Sequence, residues 1–247
     1  MKRARVAYAG AIHDAVEVRG MLQLEDGRLV NQKDVVWLPP VLPHTIFALG
    51  LNYADHAKEL AFQTPDEPLV FLKGPNTLIG HRGETRRPAA CTFMHYECEL
   101  AVVIKCSARR VKAEKALHYI AGYTVANDYV VRDYLENYYR PNFRAKNRDA
   151  ATPIGPWLVD VEDIDDPMDL TLRTYVNGQL IQEGSTKDMI FNIPYLIEYL
   201  SGFMTLNAGD VILTGTPKGA VNVEVGDVVV TEIEKVGKLE NTIVGED

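Results

Sequence analysis

The sequence predicts an α+β domain that is mainly β. Strand-like runs recur from residue 16 to residue 233, and helical periodicity is convincing in three stretches alone. Strands also fail to alternate regularly with long helices, which argues against a doubly wound sheet or a βα barrel.

The first module is short. Residues 16–24 alternate, Asp26-Gly27 supplies a turn, and Pro39-Pro40 ends the unit. A module of residues 1–42 is too small to hold a core alone, so it should pack on the domain formed by residues 43–247. Strands are expected at 46–49, 69–73, 97–104, 123–128, 170–176, 211–214 and 228–233. Asn177-Gly178 reads as a tight hairpin turn. Helices are expected at 113–120, 131–138 and 194–200, the last with Pro194 near its first turn. Two long polar loops, 52–68 and 139–156, carry His, Lys, Arg and Glu, and long ordered loops are often functional.

Composition narrows the function classes. The 247 residues hold 34 acidic and 26 basic side chains, a net charge of -8. That balance argues against wrapping nucleic acid or lying on an anionic membrane. Apolar runs such as 100–104 are far too short to span a bilayer. The basic start is not followed by an apolar segment, so no signal peptide is expected and the protein reads as cytoplasmic. Cys91, Cys98 and Cys106 lack a C-x-x-C pair and read as buried reduced thiols.

The sharpest chemical signal is Tyr96-Glu97-Cys98-Glu99-Leu100. Strand residues two apart share a face, so Glu97 and Glu99 should project together. Paired carboxylates need a compensating cation or a shared proton, and an all-oxygen set suits Mg²⁺, Mn²⁺ or Ca²⁺ rather than zinc. Two solvated residues on an edge strand would show the same spacing. Asp128, 31 residues beyond Glu97, could return on a neighbouring strand as a third ligand, or simply cap the helix after it.

Four further features could serve a site. His56 and Glu59 would share a face if residues 50–60 are helical, giving an imidazole–carboxylate pair suited to proton transfer; a solvated helix offers the same pair without function. Lys73 ends an apolar strand and either reaches solvent or faces a cavity with an anion. Arg140, Arg144, Lys146 and Arg148 form a basic group that would hold a small polyanion, or a solvated loop. The turn from Leu213 through Thr216 to Gly219 lacks phosphate-loop spacing, yet its amides and Thr hydroxyl suit a carboxylate.

In combination these segments resemble the fumarylacetoacetate hydrolase superfamily from about residue 43 onward. The motifs occur in the family's order: Gly50-Leu51-Asn52-Tyr53 with His56 and Glu59, Phe71-Leu72-Lys73, Glu97-Cys98-Glu99-Leu100, and Gly122-Tyr123-Thr124 with Asn127-Asp128. Lys146 with Asp149, Pro153-Ile154-Gly155-Pro156, Val176-Asn177-Gly178 and Gly215-Thr216-Pro217-Lys218-Gly219 follow. The stretches 132–142 and 191–219 are most similar to the branch acting in homoprotocatechuate degradation.

The resemblance implies a mixed β-sandwich roll and usually a homodimer. It implies Mg²⁺ or Mn²⁺ held by Glu97, Glu99 and Asp128. It assigns acid/base work to His56 and Glu59, with Lys146 assisting, and substrate contacts to Lys73, Arg132, Tyr139 and Thr216. The implied activity is isomerisation of a 2-hydroxy-dienedioate, with decarboxylation of the related tricarboxylate or acylpyruvate-type hydrolysis as alternatives. The extra upstream Asp of fumarylacetoacetate hydrolase's own metal site has no counterpart motif here, which argues against hydrolysis of that compound.

Overall fold

The strand Cys98–Ile104 lies at the centre of the protein, with all seven residues buried. A continuous apolar run of this kind is what a strand covered on both faces requires. A computed structural model of the chain describes residues 1–55, 65–135 and 142–246. In it, Ile120–Asn127 pairs antiparallel with one edge of Cys98–Ile104, and Val211–Leu213 pairs antiparallel with the other. Ile46–Gly50 and then Leu69–Lys73 extend the sheet beyond Val211–Leu213. On the other side Thr152–Asp160 follows Ile120–Asn127, and the N-terminal strands continue from there, giving a twelve-stranded sheet.

Alternation along Cys98–Ile104 sorts its side chains. Cys98, Leu100, Val102 and Ile104 enter the larger core with Leu172, Ile233 and Leu239 of a second, five-stranded sheet. Leu196, Ile197 and Leu200 of the helix Ile193–Phe203 close the same core. Ala101 and Val103 face the opposite way, into a smaller cluster with Ile46, Ala48, Ala126 and Leu213. Glu99 falls on this second face by period two, and Glu97 lies one step before it. Among the described residues the protein is thus two large packed sheets, a two-stranded ribbon and one substantial helix, mainly β as the sequence predicts.

The N-terminal residues form five strands, of which Lys2–Tyr8 pairs with Ala11–Val18, Val36–Leu38 and Thr152–Asp160. The meander therefore grows out of the main sheet. Trp37 meets Trp157 edge-on at 5.0 Å, joining the two parts. The run expected at 16–24 is broken: Arg19 and Gly20, with φ of 51° and 81°, make a two-residue turn between Ala11–Val18 and Met21–Leu24. Positive φ at both central residues matches the twist of the flanking strands. Asn177 and Gly178, with φ of 50° and 80°, turn the predicted hairpin in the same way.

The helical expectations fare unevenly. Ile193–Phe203 is an α-helix, capped by Asn192 Oδ1 accepting from Tyr195 N at 2.9 Å. Residues Ala113–Tyr119 are 3₁₀, because Ala116 alone is buried and no apolar stripe anchors a longer helix. At 131–138 the described part begins as the strand Val130–Val131, paired with Met94–His95, and continues as one 3₁₀ turn, Arg132–Tyr134. The polar loop expected at 139–156 contains, within its described part, a helical turn Phe143–Lys146 and the start of the buried strand Thr152–Asp160. Cys91 and Cys98 are buried as expected, whereas Cys106 is exposed. Among the described residues no helix is long and apolar enough to cross a membrane.

Candidate active site

Glu97, Glu99 and Asp128 converge where two neighbouring strands meet. Each offers a carboxylate oxygen, and these oxygens lie within 4.8 Å of one another. The register explains the convergence. Cys98 pairs with Asn127, so Asp128 comes opposite Glu97, and Asp128 N donates to Glu97 O at 2.9 Å. Asn127 locks the corner: its Oδ1 accepts from Glu97 N at 2.9 Å, and its Nδ2 donates to Thr231 Oγ1 at 3.0 Å on the second sheet.

Two lysines enter the same enclosure. Lys146 Nζ donates to Glu97 Oε2 at 2.5 Å and to Asp128 Oδ2 at 2.9 Å. Lys73 Nζ donates to Asp128 Oδ1 and to the Lys146 carbonyl. The cavity reading of Lys73 is therefore the correct one. The two ammoniums respond differently to one environment. Burial opposes the charge of Lys146, yet Asp128 and Glu97 outweigh it and hold the ammonium above the ordinary lysine range. Burial lowers Lys73, which has Asp128 in its favour but Lys146 against it.

Three carboxylates face two ammoniums, and Glu99 is the least compensated. Its Oε2 accepts from Gly215 N at 2.6 Å, whereas the buried Oε1 has no hydrogen-bond partner. Burial, then repulsion from Asp128 and Glu97, pushes this carboxyl well above the usual range. An orphaned oxygen on a buried carboxylate that neighbours two others is costly unless a cation satisfies it. The all-oxygen donor set fits a hard divalent ion, so the residues present suit the metal seat that the sequence predicts.

The surrounding loops fix these groups. Asn52 Nδ2 donates to Thr214 O at 2.8 Å and Phe191 O at 3.1 Å, while its Oδ1 accepts from Phe191 N at 2.9 Å. It therefore ties the Gly215 turn to the start of the Ile193–Phe203 helix. Thr216, one residue past the amide that holds Glu99, accepts from Gln182 Nε2 at 3.0 Å, which leaves its own hydroxyl proton to donate elsewhere. Arg132 Nε donates to His95 Nε2 at 2.9 Å. Burial above all lowers the His95 pKa to about 4, against the opposing pull of Glu97.

Of the residues expected from sequence, Glu97, Glu99, Asp128, Lys73 and Lys146 are brought together. Thr216 borders them through Gly215, and Arg132 through His95. His56, Glu59, Tyr139 and Arg140 lie outside the described residues. Sequence reasoning missed the supporting roles of Asn52, His95, Asn127, Gln182 and Gly215. Asn52, Asn127 and Gly215 stood inside recognised motifs, but nothing in a linear pattern singles out His95 or Gln182.

Comparison with known proteins bears on this geometry. The family described as Fumarylacetoacetate (FAA) hydrolase C-terminal matches residues 45–244. The 4-hydroxyphenylacetate degradation bifunctional isomerase/decarboxylase of Escherichia coli is 60% identical over 250 residues, covering 99% of this chain and 58% of its own. The chain thus spans little more than half of that relative. Among solved structures, 5-carboxymethyl-2-hydroxymuconate delta-isomerase from Mycobacterium smegmatis superposes with a TM-score of 0.90 at 37% identity, covering 100% of both chains. The 2-hydroxyhepta-2,4-diene-1,7-dioate isomerase from Mycobacterium marinum gives 0.87 at 35% identity, covering 100% of this chain and 99% of its own. With its fold shared from end to end and its acidic corner inside the matched region, the chain belongs to the fumarylacetoacetate hydrolase family.

Proposed function

We propose that this chain is a divalent-metal-dependent isomerase that converts 2-hydroxyhepta-2,4-diene-1,7-dioate to its 2-oxo-ene isomer during 4-hydroxyphenylacetate breakdown through homoprotocatechuate. The observation that carries the reading is the buried Glu97–Glu99–Asp128 corner with two lysines, in a chain similar to enzymes named for that chemistry. Glu97, Glu99 and Asp128 would hold the ion, Mg²⁺ or Mn²⁺. The chemistry such an ion supplies is Lewis-acid polarisation of the substrate's enol oxygen and adjoining carboxylate.

The chain's own residues do the rest. Isomerisation removes a proton from oxygen and delivers one to a distal carbon. His56, oriented by Glu59, handles one transfer on the strength of the sequence motif. Lys146, whose Nζ donates to Glu97 and Asp128 at the edge of this corner, assists the other. Thr216 donates its hydroxyl to a substrate carboxylate, and Arg132 and Tyr139 bind the remote end, with Lys73 holding Asp128 in place. Residues 43–247 form the catalytic unit in this reading, supported by residues 1–42, and the active species is a cytoplasmic homodimer.

Decarboxylation of 5-oxopent-3-ene-1,2,5-tricarboxylate is the second reading, favoured by similarity to a relative named for both activities. An ultraviolet assay of the purified protein on the dienedioate tests the first. Conversion should stop with chelator and return with Mg²⁺ or Mn²⁺; conversion indifferent to chelator would remove the metal role. Carbon dioxide release from the tricarboxylate at a comparable rate would establish the second activity.

A further inference from the structure

The Arg132 guanidinium is tethered at Nε, which donates to His95 Nε2 at 2.9 Å. A guanidinium carries donors only, so Nε2 must be the accepting nitrogen of a neutral imidazole. The proton then sits on Nδ1, which has an acceptor in place, the Tyr96 carbonyl oxygen at 2.9 Å. Both ring nitrogens are therefore assigned by partners, and the side chain cannot rotate without breaking two bonds in a position only 1% exposed. The backbone is fixed as well. Met94–His95 pairs with Val130–Val131, and Arg132 N donates to Phe93 O at 2.8 Å. On its other side, His95 Nδ1 stands 3.9 Å from Glu97 Oε1. One imidazole ring thus separates the guanidinium from a carboxylate of the candidate metal seat.

We propose that His95 is a positioning residue that aims the Arg132 guanidinium at the substrate carboxylate remote from the metal seat, so that the His95–Arg132 pair sets a preference for dianionic over monoanionic dienoates. The inference rests on the dienedioate reading above. With Nε engaged by His95, the edge formed by the two terminal nitrogens is left for a ligand, and such an edge grips a carboxylate in bidentate fashion. A neutral acceptor holds the side chain without cancelling its charge, which a direct pair with Glu97 would do. An immobilised guanidinium also loses less rotamer freedom when substrate arrives.

The test is steady-state kinetics of the metal-loaded protein on the dienedioate and on the 2-hydroxy-dienoate lacking the remote carboxylate. His95→Leu should raise KM for the dianion about tenfold, change kcat by no more than about threefold, and leave KM for the monoanion nearly unaltered. His95→Gln, which restores an acceptor for Nε, should recover most of the loss. The double variant with Arg132→Ala should be no worse than Arg132→Ala alone. Equal losses on both substrates, or losses that multiply in the double variant, would overturn the inference. Should His95→Leu not fold, His95→Asn, which can still donate to the Tyr96 carbonyl but does not reach Nε, reads the same bond. An Arg132→Ala effect on the dianion without a His95 effect overturns the positioning alone. No Arg132→Ala effect overturns this inference while the dienedioate reading stands; no turnover of the dienedioate by the unaltered protein overturns that reading and this inference with it.

Discussion

Lys146 Nζ lies 2.5 Å from Glu97 Oε2, with both side chains almost wholly enclosed. The same ammonium reaches Asp128, so without a bound cation it is the chief counter-charge of the acidic corner. Lys146→Met keeps the bulk and removes the charge. Breaking a buried pair by deleting one partner costs about 3–5 kcal/mol, because the remaining charge is left uncompensated. The chelated variant should melt well below the parent protein, and Mg²⁺ or Mn²⁺ should raise its melting temperature by more than it raises the parent's. Equal melting temperatures in chelator would show that the corner does not depend on this ammonium.

Glu99→Gln separates the metal seat from the fold. The amide oxygen still accepts from Gly215 N, while a fully buried and incompletely partnered carboxylate disappears. Removing such a group should leave the metal-free protein as stable as before or more so. A ligand at a hundredfold its Kd stabilises by about 2.7 kcal/mol, and that gain should vanish in the variant. Thermal melts across a Mn²⁺ titration check both halves. A variant that retains the Mn²⁺-induced shift would exclude Glu99 as a ligand.

The acidic corner was legible in the sequence because it follows from period two on one strand and from pairing on the next. Glu97 and Glu99 share a side by alternation, and Asp128 needed a return to the neighbouring strand, which the Cys98–Asn127 register provides. Lys73 remained ambiguous because a strand-terminal lysine can point to solvent, and only the meeting with Asp128 settles it. The strand Thr152–Asp160 was hidden by Pro153, Gly155 and Pro156, residues that punctuate loops in most contexts. His95 and Gln182 act through side-chain bonds to partners 37 and 34 residues away, and such tertiary bonds leave no periodic trace.

His56 is assigned on its motif alone, with Glu59 three residues on. His56→Ala should lower turnover of the dienedioate by about 10²–10⁴-fold, the usual contribution of a positioned acid or base. Mn²⁺ affinity, measured by calorimetry on the same preparation, should hardly change, because the proposed ligands are Glu97, Glu99 and Asp128. Full activity in the variant would remove His56 from the mechanism. A parallel loss of Mn²⁺ affinity would move it into the metal seat.

Gly215→Ala probes how the loop holds Glu99. Gly215 has φ of +90°, and a Cβ there would lie 2.9 Å from Asn52 Cβ, which is itself tied to Thr214 and Phe191. Gly226, with φ of +98° and nothing within 4 Å of an added Cβ, is the internal control. Gly226→Ala should cost only the conformational penalty of a left-handed residue, about 1–2 kcal/mol. Gly215→Ala should exceed it by the cost of overpacking, about 1–3 kcal/mol, read as a larger fall in the urea midpoint. Because the Gly215 amide fixes Glu99 Oε2, the Gly215 variant alone should also bind Mn²⁺ more weakly. Equal midpoints for the two variants would mean that Asn52 yields freely, and unaltered Mn²⁺ binding would mean that Glu99 keeps its place without this amide.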